Sequence, residues 1–229
     1  MVRRRGRDHL FKKQDSEEEL RKMKLITVGR EFGSGGRELG KRLADTLGFA
    51  YYDRELISAV AEKSELDEQY VAGLLEQGRV TGYPFTIRRT FSYGRMPQQN
   101  TMKVLIMQEK IIKELAAVGN DCVIVGRSAD VLLREYHPLT LFVHAEMKSK
   151  VQRCRERAME GERLTDREII HRIKQVDAGR AKHRELIAGG GWGCKESYHL
   201  CINTSGLSIR QLIPPIAEYA QFWFRRTTP

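Results

Sequence analysis

The sequence predicts a doubly wound α/β fold, in which a parallel sheet is covered by helices on both faces. Three short runs, at 25–28, 122–125 and 140–143, are apolar except for Thr27 and Thr140. Strands without polar alternation are usually buried on both faces, as in a parallel sheet. Amphipathic helical patterns separate these runs, and alternation of strand and helix is typical of this fold class. A chain of 229 residues is long enough for one domain with insertions.

The remaining elements follow from apolar periodicity and from turn residues. The first predicted helix presents Leu39, Leu43, Ala44 and Leu47 on one face. Further strands are predicted at 49–52 and 199–202, and further helices at 54–63, 67–77, 101–118, 146–159 and 166–184. Residues 78–100 lack a helical pattern and are rich in Gly, Pro and Arg, which predicts a long surface loop. Such a loop either closes over substrate or mediates pairing of chains.

A C-terminal helix should follow the last strand. Ser208 and Gln211 predict a capping box at its start. Pro214 and Pro215 should kink or restart this helix, because proline lacks the N–H that a helix needs and its ring clashes with the preceding turn.

A glycine-rich turn follows the first predicted strand. Residues 29–41 read Gly-Arg-Glu-Phe-Gly-Ser-Gly-Gly-Arg-Glu-Leu-Gly-Lys. Strand, glycine turn and helix form the context in which backbone N–H groups bind phosphate, and the helix N-terminus adds about half a positive charge. The alternative is a strand-to-helix turn with an incidental glycine run. The predicted phosphate-binding residues are Gly33, Ser34, Gly35, Gly36 and Arg37.

This turn departs from the standard phosphate-binding loop, which ends in Gly-Lys-Ser/Thr. When Gly33-Ser34-Gly35 is aligned with the Gly-x-Gly of that motif, Gly36 stands where the lysine should be. Arg37 then stands where the magnesium-binding hydroxyl should be, and Arg30 takes the place of the first glycine.

Polar side chains follow three of the predicted strands. The glycine turn follows the first, Asp53 the second, and Gly126-Arg127-Ser128-Ala129-Asp130 the third. In open α/β sheets, ligands bind beyond the carboxyl ends of the strands. Arg127 therefore either faces a cleft there or forms a structural ion pair with Asp53 or Asp130.

The net charge of +10 is concentrated in two stretches, residues 1–23 and residues 148–184. In the second stretch, Arg153 and Arg157 are i,i+4 neighbours. Guanidinium groups suit phosphoryl oxygens because the planar fork binds two oxygens and stays charged. The alternative is a solvated charged face. A second group on one helix face consists of Asp177, Arg180 and Arg184.

Composition excludes several classes of protein. No apolar run approaches the ~20 residues of a membrane span. The basic N-terminus has no apolar signal region, so we expect a cytoplasmic protein. Basic residues are not interleaved with aromatic ones, so we do not expect nucleic-acid binding. The cysteines show no paired metal spacing, and Cys122 and Cys201 are expected to be buried and reduced because they lie in apolar strands.

Five separated motifs, in order and with sensible spacing, resemble those of the cytidylate kinase-like proteins. They are Gly-Arg-Glu-Phe-Gly-Ser-Gly-Gly-Arg-Glu-Leu at 29–39, Tyr-Asp-Arg-Glu-Leu at 52–56, Val-Gly-Arg-Ser-Ala-Asp at 125–130, Asp-Ala-Gly-Arg at 177–180, and Trp192 with Tyr198 and Asn203. The resemblance implies a three-layer nucleoside monophosphate kinase fold of the P-loop type. It implies one domain at 24–229, with a five-stranded parallel sheet, a helical monophosphate-binding segment and a lid at about 148–184. Residues 1–23 lie outside it as a charged N-terminal extension.

The resemblance also implies a function, namely transfer of a phosphoryl group from ATP to a nucleoside monophosphate, with CMP or dCMP expected. Arg37 would supply the charge of the missing lysine, and Ser34 or Asp53 would hold Mg²⁺, directly or through water. The implied catalytic arginines are Arg37, Arg153 and Arg157, and the implied acceptor-binding residues are Asp53, Arg127, Asp130, Asp177, Arg180 and Arg184. Two alternatives stay open: a kinase of another small phosphorylated metabolite, and a nucleotide-binding regulatory protein without turnover. Nucleotides are the expected partners, and an oligomer is possible.

Overall fold

The structure, a computed structural model, describes residues 23–53, 55–65, 68, 98–158 and 164–226. The N-terminal extension as far as residue 22, the helix predicted at 67–77 apart from Glu68, and residues 78–97 of the predicted loop lie outside the described residues. The strands are β1 Leu25–Arg30, β2 Ala50–Tyr52, β3 Cys122–Val125, β4 Leu139–His144 and β5 Leu200–Asn203. The α-helices are α1 Gly36–Leu47, α2 Glu55–Ser64, α3 Gln98–Ala117, α4 Ala129–Leu132, α5 Met147–Glu156, α6 Asp166–Ala188 and α7 Ile209–Arg225.

The five strands form one parallel sheet in the order β2-β3-β1-β4-β5, which confirms the predicted fold class. In the register of the central strands, Val28 of β1 lies between Val125 of β3 and Leu141 of β4. The carboxyl ends of these three strands therefore lie at the same edge of the sheet. The glycine turn after β1 and the Gly126 turn after β3 are brought together there.

Two hydrophobic cores cover the two faces of the sheet. On one face, α1 and α7 pack on alternate strand residues such as Ile26, Val123 and Val125. On the other face, α2, α3 and α4 pack on the intervening residues, including Cys122 and Ile124. Both sets of strand residues are buried, and this explains why the strands are apolar without alternation.

Three predictions about side chains and helix ends are wrong in detail. Cys201 is exposed, whereas Cys122 is buried as predicted. The reason is that β5 is an edge strand, with only one neighbour. Ser208 occupies the N-cap position of α7, but its side chain makes no capping hydrogen bond, so the predicted capping box does not form. Helix α3 begins at Gln98, three residues before the predicted start.

Helix α7 also continues through Pro214 and Pro215 as one element from Ile209 to Arg225, so it is not restarted there. Its apolar face, which includes Ile213 and Ile216, is buried against the sheet and α1. That burial keeps the helix in place although two prolines lack the N–H groups for its internal hydrogen bonds.

Gly40 lets α1 pack closely on the sheet, and a substitution at this residue tests how close that packing is. A Cβ atom at residue 40 would lie 2.7 Å from Val125 Cγ2. At an open helical site, replacing glycine by alanine is favourable by about 1 kcal/mol. Here we expect Gly40→Ala to lower the free energy of unfolding by about 1–3 kcal/mol, because α1 must move away from β3. Urea denaturation measures the change.

The control for this prediction is a double-mutant cycle with Val125→Ala, which removes the atom that the new methyl group would meet. We expect the double variant to lose less stability than the sum of the two single variants. Strictly additive losses would show that Val125 does not limit the approach of α1.

Candidate functional site

The glycine loop, residues 31–35, joins β1 to α1 and is enclosed by two other helices. Gly33 and Gly35 adopt left-handed backbone conformations, with φ of 76° and 84°. A Cβ atom on Gly33 would lie 2.9 Å from the backbone oxygen of Lys150 in α5, and one on Gly35 would lie 2.6 Å from Ile209 Cδ1 in α7. Glycine is therefore required at both positions by conformation and by close contact.

Some backbone N–H groups of the loop already donate hydrogen bonds. The Phe32 N–H donates to Asp177 Oδ1 at 2.7 Å, and the Gly36 N–H donates to Ser34 Oγ at 3.3 Å. Within the described part of the chain, the N–H groups of Gly33 and Gly35 donate to no other residue. These two groups, with the start of α1, are the part of the loop that could bind a phosphate.

A buried lysine, which the sequence analysis did not single out, holds the loop in place. The Lys150 ammonium lies 3.0 Å from Glu31 Oε2 and 3.5 Å from Asp177 Oδ2, and its side chain is 7% exposed. Burial raises the pKa of Asp177, while its hydrogen bond from Phe32 and the nearby Arg180 and Lys150 lower it. This ion cluster connects the loop to α5 and α6.

Asp53, at the end of β2, lies between two guanidinium groups. Arg37 Nε lies 2.5 Å from Asp53 Oδ2, and Arg30 Nη2 lies 3.5 Å from Asp53 Oδ1. Asp53 is buried, the Arg30 side chain is 8% exposed, and the Arg37 side chain is 42% exposed. The structure therefore brings the predicted residues Arg37 and Asp53 together, and adds Arg30.

The turn after β3 has a strained backbone. Gly126, Arg127 and Ser128 are three consecutive left-handed residues, with φ of 78°, 63° and 51°. For residues other than glycine this conformation costs on the order of 1 kcal/mol or more each, and it persists only where the surroundings enforce it. The Arg127 carbonyl accepts a hydrogen bond from the buried Gln108 side chain at 3.3 Å. The result is that Arg127 is placed at the edge of the sheet and is itself buried.

A cavity of about 40 Å³ lies beside this turn, at the carboxyl ends of β1 and β3. Its most prominent feature is a set of four arginines from three separate segments, the end of β1, the turn after β3 and α6. They are Arg30, Arg127, Arg180 and Arg184. The same cavity is lined by Asp130, His183, Trp192 and Tyr198. Of the predicted acceptor residues, Arg127, Asp130, Arg180 and Arg184 therefore line one cavity, which we call the arginine cavity.

The two arginines that α6 contributes to the arginine cavity are each held by oxygen atoms of the protein. Arg184 forms an ion pair with Asp130 and donates from Nε to the Gly190 carbonyl at 3.2 Å. Arg180 donates to the Arg30 carbonyl at 3.1 Å and lies 3.6 Å from Asp177 Oδ1. The predicted helix face of Asp177, Arg180 and Arg184 thus points at the sheet edge.

His183 is a second site residue that the sequence analysis missed. It is buried, with Nδ1 3.4 Å from Ser128 Oγ and Nε2 3.5 Å from Gln108 Nε2. Burial, and secondarily the charge of Arg127, lowers the pKa of His183 from 6.5 to about 4. Burial also raises the pKa of Tyr198 to about 12. Both rings are therefore neutral at pH 7.

The two predicted lid arginines have different surroundings. Arg153 donates to Ser34 O at 3.4 Å, to Thr204 Oγ1 at 3.1 Å and to Leu207 O at 3.1 Å. Burial, and then the neighbouring Arg157, lowers the pKa of Arg153. Arg157 is half exposed and forms an ion pair with Glu38 at the start of α1. Arg153 thus connects α5 to the glycine loop, while Arg157 lies at the surface.

The family of this chain follows from its match to a sequence profile. The sequence profile of the cytidylate kinase-like family matches residues 25–206. The chain belongs to this family. No curated protein sequence matches it. The family and the fold together indicate a phosphotransferase of the kinase type.

Solved structures similar to this cytidylate kinase-like chain support the fold. An uncharacterized protein from Eubacterium ventriosum ATCC 27560 has a TM-score of 0.63 and 22% identity, over 87% of this chain and 99% of that chain. Shikimate kinase from Bacteroides thetaiotaomicron has a TM-score of 0.52 and 17% identity, over 89% and 99%. Shikimate kinase from Acinetobacter baumannii, in complex with shikimate, has a TM-score of 0.51 and 12% identity, over 89% and 96%.

The two side chains predicted to hold Mg²⁺ are not arranged to bind it directly in this cytidylate kinase-like protein. Ser34 is fully buried, and its hydroxyl donates to the Glu31 carbonyl at 2.8 Å. The negative charge of Asp53 is balanced by ion pairs with Arg30 and Arg37. Across the described residues, no group of three or more His, Cys, Asp and Glu side chains is arranged to hold a metal ion. Within the same residues, no helix is both long and apolar enough to cross a membrane.

The buried His183 predicts how stability depends on pH. Its pKa is about 4 in the folded protein and 6.5 when it is unperturbed. Between these values the unfolded chain binds a proton that the folded chain does not, so stability is fully present above pH 6.5 and is lost as pH falls through 4. The shift corresponds to roughly 3 kcal/mol. Urea denaturation at several pH values measures this dependence.

His183→Gln is the matched variant, because it keeps a polar side chain of similar size but does not titrate. We expect the difference in unfolding free energy between the two proteins to change with pH only within this window. Parallel curves for the wild type and the variant would contradict the assignment.

Proposed function

We propose that this protein transfers the γ-phosphoryl group of ATP to a nucleoside monophosphate, with CMP or dCMP as the expected acceptor. The arginine cavity beside the glycine loop carries the proposal. Arginine stays charged at any physiological pH, and its fork matches phosphate oxygens. Phosphoryl transfer depends on positioning and on charge stabilisation more than on covalent chemistry by the protein. This arrangement of residues suits that requirement.

The donor and the acceptor would bind on opposite sides of β1. The N–H groups of Gly33 and Gly35, with the start of α1, would bind the phosphates of the donor. Arg127 and Arg180 would bind the phosphate of the acceptor. An acceptor phosphate oxygen then forms a bond to the γ-phosphorus, while the bond from that phosphorus to the β–γ bridging oxygen breaks. The electron pair leaves on ADP.

The two lid arginines would act differently. Arg153 donates to the Ser34 carbonyl of the glycine loop and to Thr204 and Leu207 after β5, so we assign it a positioning role. Arg157 is at the surface near the start of α1, so we assign it to contact with the transferring group. Mg²⁺ would be carried to the site on ATP, because it commonly keeps several waters and is bound mainly by substrate phosphates.

A second candidate is a kinase of another small anionic metabolite. The arginine cavity has a volume of about 40 Å³, which is far below the ~300–1,000 Å³ of ordinary ligand pockets. A nucleotide would therefore require this edge of the protein to open, whereas a compact acceptor would require less. The similarity in fold to shikimate kinases is consistent with such an acceptor.

A panel assay tests these proposals. Purified protein is incubated with Mg-ATP and, separately, with each nucleoside monophosphate, each nucleoside and shikimate, and ADP release is followed. We expect ADP release with CMP or dCMP above all other acceptors. Release with shikimate alone would support the second candidate. Tight ATP binding without ADP release from any acceptor would show a nucleotide-binding protein without turnover.

Arg180 and Arg157 should have separable effects on the kinetics. Because Arg180 lines the cavity, we expect Arg180→Ala to raise the KM for the acceptor by about 10- to 100-fold, the loss typical of one charge-assisted hydrogen bond. Because Arg157 is proposed to contact only the transferring group, Arg157→Ala should mainly lower kcat. Steady-state kinetics with saturating ATP separate the two effects. Unchanged values for both variants would refute the assignment of the lid.

A further inference from the structure

In the standard loop, a glycine stands at the position of Arg30 and a lysine stands at the position of Gly36. In this chain the long basic side chain and the glycine have changed places. The side chain of Arg30 passes directly beside residue 36. A Cβ atom on Gly36 would lie 2.5 Å from Arg30 Cβ and 3.2 Å from Arg30 Cγ. Contacts under about 3 Å between such atoms are not tolerated in a packed interior. Because the shorter distance joins two Cβ atoms, any side chain at position 36 and any side chain at position 30 exclude each other, and this includes lysine with arginine.

The guanidinium group of Arg30 is held at a defined place. A Cβ atom on Gly126 would lie 1.6 Å from Arg30 Nη1. Gly36 and Gly126 thus form a slot through which the side chain reaches the edge of the sheet. At the end of the slot, Arg30 Nη2 lies 3.5 Å from Asp53 Oδ1. Arg30 is only 7% exposed, and it lines the arginine cavity.

We propose that Arg30, in addition to Arg157, is a cation that contacts the transferring phosphoryl group, and that it takes the place of the lysine of the standard loop. This inference rests on the kinase function proposed above. The stem of Arg30 lies against the start of α1, where the donor would bind, and its guanidinium lies in the acceptor cavity. The side chain therefore extends from one substrate site to the other. As the bond to the bridging oxygen breaks, a fixed guanidinium stabilises the charge on the γ-phosphoryl oxygens.

Arg37 has a different place. It is 42% exposed, contacts the other oxygen of Asp53 and is not among the residues that line the arginine cavity. Arg37 therefore serves to fix Asp53, and Asp53 in turn orients Arg30. Arg37, which stands at the position of the missing hydroxyl, is thus a positioning residue, whereas Arg30 is a catalytic residue.

The first test removes the charge but keeps most of the packing. Arg30→Gln should fill part of the slot and remain folded, as thermal unfolding would check. We expect its kcat to fall by about 100-fold or more, the effect of losing one fixed donor to a transition state. Calorimetry should show a larger loss of affinity for ATP than for ADP, because only ATP carries the γ-phosphoryl group. Arg37→Gln is the matched control, with an expected loss in kcat of less than about 10-fold.

The second test restores the standard arrangement. Arg30→Gly should lose activity, and Arg30→Gly with Gly36→Lys should recover about 10-fold or more of it, because the new lysine occupies the space that the arginine leaves. Gly36→Lys alone should unfold at a lower temperature than the double variant, since both long side chains then compete for one slot. A double variant that folds but recovers no activity would overturn the exchange of roles between positions 30 and 36.

The outcomes separate this inference from the proposed function. Wild-type protein that neither binds ATP nor releases ADP would overturn both. Wild-type turnover with an unchanged kcat in Arg30→Gln would overturn the role of Arg30 alone. Equal losses of affinity for ATP and for ADP, or a larger loss of kcat in Arg37→Gln, would overturn it as well.

Discussion

The buried ammonium of Lys150 is the interaction on which the geometry of the site depends. A buried charge costs several kcal/mol unless it is paired and hydrogen-bonded. Lys150 is paired with Glu31 and with Asp177, and each carboxylate also accepts a backbone N–H, from Ala145 and from Phe32 respectively. One charge thereby fixes the glycine loop, the segment after β4 and α6. Without it, two adjacent carboxylates would repel a phosphate at this loop.

Local patterns were sufficient to predict the fold and one face of the site. The apolar runs identified the central strands because those strands are buried on both faces. The helical period placed Asp177, Arg180 and Arg184 on one side of α6, and the structure directs all three towards the sheet edge. Both kinds of prediction depend only on residues near in sequence, whose relative directions follow from the geometry of a strand or a helix.

Other features could not be predicted, because they depend on residues that are distant in sequence. Lys150 lies among other basic residues of α5, and its partner Glu31 is 119 positions away. The slot for Arg30 exists only where Gly36 and Gly126 meet. The exposure of Cys201 depends on the strand order, which places β5 at the edge. The capping box of Thr165 and Glu168 at the start of α6 differs from these features, because it is a local pattern that our predictions did not include.

The charges of the site favour an anion over a neutral or positive ligand. Four arginines line one small cavity, and within the described residues that line it the acidic side chain is Asp130. The buried His183 is affected by the same positive charge, because Arg127 adds to the effect of burial in lowering the pKa of His183. A group that is kept neutral in this way cannot add positive charge to the cavity. The anion is therefore bound by guanidinium groups that stay charged at every physiological pH. The positions of Arg30, Arg180 and Arg184 are set by carboxylates and carbonyls before any substrate arrives, as electrostatic catalysis of phosphoryl transfer requires.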